Sequence, residues 1–302
     1  MNRIAKILSA VDPSTQSGIE IGALDKAIVT RDMGTVLYVD HAWTNDLRDK
    51  YKDDPNVDTG QIVDVDHIWE EATLQEAIGA DQDFDYVIAS HVIEHVPDIV
   101  GWLKEISDIL CAGGVLSLAI PDKRYTFDYN RQLSTCGDVI DAYLRGLRRP
   151  SFKHIFDHYA TIVQIDPLLA WSGLVCQHKL VKYYSEQAAI GSCQQASTTD
   201  QYIDVHCWIF TPESFFDIIR TLINLDLFDY KVVRFYPTRV AGIEFFVSLE
   251  KLPHFQNPVE KRQAQLNSLP TFRPPRQLLR PALHATAMSL ITVQRRLRSR
   301  QR

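Results

Sequence analysis

Phe84-Asp85-Tyr86-Val87-Ile88-Ala89-Ser90-His91-Val92-Ile93-Glu94-His95-Val96-Pro97-Asp98 changes character at Ser90. Up to Ala89 the run is apolar and rich in β-formers, as in a strand buried on both faces. From Pro97 to Leu110 the spacing changes to that of a helix. Ile99, Trp102, Leu103, Ile106, Ile109 and Leu110 fall on one stripe, and Pro97 suits a first turn. Gly113-Gly114 is then expected to end the helix and turn into a second apolar run, Val115 to Ile120. Strand, helix, strand with doubly apolar strands means parallel pairing under helices on both faces.

The same rhythm extends upstream through Gly18-Ile19-Glu20-Ile21, Val36-Leu37-Tyr38-Val39 and Ile62-Val63. Downstream it lapses from Asp122 to His206, a stretch rich in His, Tyr, Trp and Arg and too long for a plain connection. It resumes at Thr211-Pro212-Glu213-Ser214, a helix start with Pro at the first helical position, followed by strand runs Tyr230 to Tyr236 and Ile243 to Leu249. The expected fold is α/β: a Rossmann-like, doubly wound, mostly parallel seven-stranded sheet. Residues 1–252 form its body, the insert 122–206 is a helical or irregular cap, and 253–302 is a basic, Pro-containing tail.

Five scattered cysteines lack C-x-x-C spacing, which speaks against a zinc knot or disulfide framework and fits a reducing cytoplasm. No apolar run is long enough for a membrane span, and the N-terminal stretch is too quickly broken for a secretory segment. From Pro253 onward there are ten Lys or Arg and one acid, a tail of +9. The remaining 22 basic and 37 acidic residues leave the body at −15. An acidic body disfavours nucleic acid as substrate. Within Leu278 to Arg302, an apolar side and crowded arginines suit weak peripheral contact with an anionic inner membrane face or a protein partner.

Doubly wound sheets bind their cofactor at the carboxyl ends of the strands, where strand order switches. Glu20-Ile21-Gly22, Asp40-His41, Asp64 and Asp66, and Ser90-His91 each stand just after an expected strand. Twenty residues separate Glu20 from Asp40, the spacing of the acid that accepts ribose hydroxyls. The first turn carries a single glycine. A dinucleotide needs further glycines to bring backbone against a pyrophosphate, and S-adenosylmethionine, having no phosphate, does not.

These motifs together resemble class I S-adenosylmethionine-dependent methyltransferases of the small-molecule, type 11-like branch. The resemblance rests on G-I-E-I-G, Y-V-D-H, the E-H-V after the fourth strand and L-x-x-G-G before the fifth. It covers residues 17 to 128 and, more thinly, 206 to 250. More narrowly, S-H-V-I-E-H-V-P-D and I-P-D-K-R-Y-T-F-D are similar to bacterial methyltransferases associated with glycosyltransferases and polysaccharide synthesis. The resemblance implies S-adenosylmethionine as cofactor, with Glu20 and Gly22 at its methionine end and Asp40 on the ribose. It also implies Asp66, or alternatively Asp64, at the adenine, and Ser90 and His91 beside the transferred methyl. Leu24 and Lys26 depart from the family's further glycines, which leaves the geometry of the first loop open.

His91-Val92-Ile93-Glu94-His95 also matches the H-x-x-E-H of inverted zinc peptidases. That chemistry needs both histidines on one helix face, whereas this segment continues a strand, so no metal is expected. The insert's histidines (His154, His158, His178, His206) with Trp171, Trp208, Tyr159 and Tyr202 suit a polar pocket with aromatic walls, as a carbohydrate acceptor would require. His206 or His158 is the expected general base, with Asp122 as orienting or alternative base. Two rivals stand beside this expectation: a nicotinamide-dependent oxidoreductase on the same fold, and a non-catalytic methyltransferase-like binding module.

Overall fold

A computed structural model describes residues 1–70, 72–79, 83–199, 202–253 and 255–272. Seven strands form one sheet: β1 (Ser17–Ile21), β2 (Thr35–Asp40), β3 (His67–Ile68), β4 (Phe84–Ser90), β5 (Leu110–Pro121), β6 (Tyr230–Tyr236) and β7 (Glu244–Lys251). Their order is β3-β2-β1-β4-β5-β7-β6. β1 to β5 pair in parallel, while β7 runs antiparallel to both β5 and β6. The sheet is therefore the mostly parallel, Rossmann-like one expected. The chain runs outward from β1 to β3 and then returns to β4 on the other side of β1. That return creates the switch point between β1 and β4.

Ile19, Val87, Leu116, Leu118, Phe245 and Val247 of the sheet are all but inaccessible, and Ile99–Ile109 lays Trp102, Leu103 and Ile106 onto the same core. The helix after β4 begins at Ile99 with Asp98 as its N-cap, so Pro97 precedes the helix and does not open it. Gly113 and Gly114 do not end that helix. It stops at Ile109, and the two glycines lie inside β5 where its register with β4 shifts. Gly113 takes a φ of +83°, and a Cβ on Gly114 would come within 2.9 Å of the Cys111 carbonyl. These glycines serve a bulge.

The segment 122–206 is helical between irregular turns, with helices Cys136–Arg145, Phe152–Thr161, Pro167–Ser172 and Glu186–Thr198. The helix Pro212–Asn224 starts as expected, capped by Thr211 with Pro at its first turn. Part of the expected tail belongs to the body. Helix Pro258–Ser268 buries Gln265, whose Nε2 donates to the Phe228 and Tyr230 carbonyls, and Phe272 packs on Phe216 and Phe235. The basic amphipathic stretch Leu278 to Arg302 lies outside the described residues. Among the described residues no helix is long and apolar enough to cross a membrane.

Candidate active site

At the switch point the chain leaves β1 through Gly22, with φ +68° and its amide donating to Val39 O. A Cβ at Gly22 would sit 3.1 Å from Val92 Cγ2, so the first loop and the loop after β4 meet here. Leu24, at a position where the family has glycine, keeps a left-handed φ of +48°. The loop follows a glycine-type path at the cost of strain in an L residue.

Glu20 holds that path. Its carboxylate is buried and accepts the amides of Ile28 and Val29 at 2.8–3.0 Å, so it shapes the loop. Burial raises its pKa to about 7, against those amide bonds and the charge of Arg3, which pull it down. A carboxyl whose folded pKa is raised gives stability that is complete below the unfolded value and lost as pH climbs through the folded one. Between about pH 4.5 and 7 the native chain should lose up to roughly 3 kcal/mol relative to Glu20→Gln. Paired denaturant titrations across that range measure it. Parallel pH profiles for the two proteins would refute it.

Asp40 ends β2 and is nearly inaccessible. Its Oδ1 takes the backbone amide of His41 at 2.8 Å and Nδ1 of the His41 ring at 2.7 Å. No hydrogen bond to Oδ2 is found among the described residues, so that oxygen remains available to a ribose diol.

Asp64 and Asp66 do not follow a strand. The third strand is His67–Ile68, five residues beyond Ile62-Val63, so Asp66 precedes it. Its carboxylate binds Arg31 Nη2 with both oxygens at 2.9 Å and accepts the Tyr38 amide at 2.8 Å. Both of its oxygens are thus engaged within the chain. The position after β3 belongs to Trp69 and Glu70. The Trp69 amide donates to Asp40 O at 2.9 Å, and its half-buried indole donates Nε1 to Ala72 O.

After β4, Ser90 Oγ accepts from Arg3, and Arg3 also bonds Glu244 at the start of β7. His91 has φ +57°, with Nε2 2.9 Å from Glu244 and Nδ1 3.3 Å from Glu94. Burial opposes a charge on His91, but the two carboxylates outweigh it and raise its pKa to about 9. The ring is cationic at neutral pH.

The chain returning from the insert is stitched to this loop. The Glu94 carbonyl accepts the amides of Cys207 and Trp208, and Trp208 Nε1 donates to Val96 O. His206 is thereby brought edge-on to His95, with ring centroids 4.7 Å apart. Nδ1 of His206 lies 2.6 Å from Asp128, which Arg131 also binds; Nδ1 of His95 lies 2.7 Å from Asp204. Lys50 links the two halves of the crevice, with Nζ 3.0 Å from His41 Nε2 and 3.8 Å from Asp204.

Of the expected bases, only His206 has the arrangement for the task. Asp122 is fully buried with both oxygens on Arg124, and it accepts a further bond from Thr238 at 2.7 Å. It is the buried half of a loop ion pair, with no free lone pair directed at an acceptor. His158 accepts the His206 amide on Nδ1 at 3.2 Å, so its Nε2 carries the proton, and burial together with Arg131 lowers its pKa to about 3. It positions His206 and does not take protons. Asp128, Asp204, Glu244 and Arg3 were not legible as site residues, since each meets its partner only through the tertiary fold.

A switch-point crevice with a buried acid at the end of its second strand and a single glycine in its first turn has the form of a Rossmann-like nucleoside site. The residues fit S-adenosylmethionine: Asp40 offers an oxygen, and Gly22 leaves room beside Val92. A family model described as a methyltransferase domain matches residues 2–196. The chain belongs to that family, and S-adenosylmethionine is its methyl donor. No curated protein matches its sequence.

Solved structures similar to it include the CcbJ methyltransferase from Streptomyces caelestis, at 12% identity and TM-score 0.43, covering 83% of this chain and 89% of that one. A methyltransferase from Methanosarcina mazei has 13% identity and TM-score 0.41, covering 84% and 99%. The CurJ carbon methyltransferase has 11% identity and TM-score 0.37 over 82% of this chain, which spans about half the length of that protein.

Proposed function

We propose that this protein methylates a hydroxyl of a small carbohydrate-containing acceptor, with His206 as the base. The observation that supports the reading is the buried Asp128–His206 pair, connected to Asp40 by successive contacts through His95, Asp204, Lys50 and His41. Asp128 holds the imidazole by Nδ1 and leaves Nε2 to receive a proton, the division of labour found in Asp–His catalytic pairs. Bound S-adenosylmethionine supplies an electrophilic methyl on a sulfonium. The chain's part is to align the acceptor, exclude water and remove the hydroxyl proton.

A carbohydrate suits the surface that the insert presents. An open depression of about 800 Å³ is bordered by Gln164, Asp166, Leu168 and Tyr183, polar groups beside an aromatic face. Nearby, Trp171 stacks on Tyr125 at 4.0 Å and is held by Gly242 O.

The donor half of the reading is tested at Asp40. Replacing it with Ala should weaken S-adenosylhomocysteine binding by about 1.5–3 kcal/mol, the range for hydrogen bonds to charged groups. Calorimetry would then show a Kd raised roughly ten- to 150-fold. An unchanged Kd would remove Asp40 from the donor site. The acceptor half is tested by turnover against free sugars, nucleotide sugars and amines, and methylation confined to amines would overturn it.

A further inference from the structure

Glu94 has no exposed surface, and among the described residues neither of its carboxylate oxygens has a hydrogen-bond partner. His91 Nδ1 lies 3.3 Å from one of them, close enough to offset charge but without hydrogen-bond geometry. His91 is shared with Glu244, so this wholly buried carboxylate, without hydrogen bonds, keeps capacity for a further cation.

Around Glu94 stand two histidines prepared in the same way. His95 and His206 each engage a carboxylate through Nδ1, Asp204 at 2.7 Å and Asp128 at 2.6 Å. Nε2 is then the nitrogen left to each ring. One donor atom from each of Glu94, His95 and His206 lies within 4.8 Å of the others. Imidazoles whose far nitrogen is held by a carboxylate are the usual form of metal-ligating histidine. Two such rings with one carboxylate form a three-donor set with open coordination positions.

We propose that Glu94, His95 and His206 bind one first-row divalent cation, zinc-like or iron-like in its preference for imidazole. Ligand distances of about 2.1 Å would draw the three donors inward. This contradicts the metal-free expectation from sequence. The H-x-x-E-H segment does contribute Glu94 and His95, but from a loop and with His206 as the third ligand; His91 is turned to Glu244.

A catalytic role for the cation rests on the methyl-transfer reading, whereas its binding does not. With the cation present, an acceptor hydroxyl bound to it loses its proton to water. The oxygen then forms the new bond to the methyl carbon as the carbon–sulfur bond breaks and sulfur keeps the electron pair. His206 acts in that case as ligand in place of base.

The test uses the full chain, stripped with a chelator and titrated calorimetrically with Zn²⁺, Mn²⁺ and Mg²⁺. The expected result is one Zn²⁺ or Mn²⁺ per chain and far weaker Mg²⁺, since nitrogen donors disfavour it. His95→Ala should abolish stoichiometric binding. Asp204→Asn, at a half-exposed side chain that folding tolerates, should weaken it roughly 10–100-fold. No stoichiometric binding by the native chain, or equal affinity in both variants, overturns the proposal. S-adenosylhomocysteine titrated in parallel separates the two readings. Its binding without any cation site would sink only the metal, and a cation site without its binding would sink only methyl transfer.

Discussion

His206→Ala should reduce turnover by about 10²–10⁴-fold while leaving S-adenosylhomocysteine affinity nearly unchanged. That range is what a positioned acid–base group contributes. His206 touches Asp128, His158, Phe127 and His95, none of which holds the ribose acid directly. Loss of kcat without loss of cofactor binding is therefore the expected signature, and it holds whether Nε2 takes the proton or holds a cation. His158→Ala should do much less, because His158 acts only on the backbone amide of its neighbour in space. Single-turnover kinetics on both variants decide the matter. Equal losses would mean that the site works as a packed unit, and full activity in His206→Ala would exclude it as base and as catalytic ligand.

Six of the seven strands are legible because each is an apolar run rich in β-branched or aromatic residues, and Tyr230–Tyr236 is recovered to the residue. The third is not. His67–Ile68 is two residues long, too short for any periodicity, while Ile62-Val63 nearby has the composition of a strand. Ile62 instead packs with Leu47 and Val65 in a small separate cluster. That displacement put Asp64 and Asp66 after an expected strand, whereas Asp66 precedes the observed one and Trp69 follows it. Gly113-Gly114 misled in another way, since paired glycines after a helix read as its end although these serve a bulge.

The site was half legible for a related reason. Local motifs supplied Gly22, Asp40, Ser90 and His91, which end strands or stand on the loops directly after them. The carboxylates that give the histidines their roles come from elsewhere in the chain. Asp128 stands 78 residues from His206, and Asp204 stands 109 residues from His95. Histidines gathered in an insert suggest a pocket, but their order of importance depends on which Nδ1 finds an acid. Only the return of residues 205–208 onto the Glu94 carbonyl determines that.

Asp128→Ala should cost about 3–5 kcal/mol of stability, the loss seen when one partner of a buried charge pair is removed. Asp128 and Arg131 are both almost inaccessible, and Arg131 Nη1 donates to Asp128 at 3.2 Å and to the His206 carbonyl at 2.8 Å. Its Nε is buried with no partner, so the guanidinium already lacks one bond. Burial pushes the Asp128 carboxyl up, but His206 and Arg131 outweigh that and hold it below the usual range. Removing it leaves an uncompensated cation beside His206 in a medium that screens poorly. Asp128→Asn keeps the shape and an acceptor oxygen but not the charge, and should fall between native and Ala. The Asp141–Arg145 pair, exposed on both sides, is the control, and Asp141→Ala should shift the denaturant midpoint little, if at all. If Asp128→Ala unfolded at the same denaturant concentration as Asp141→Ala, the Asp128–Arg131–His206 cluster would hold no more of the fold than a surface pair does.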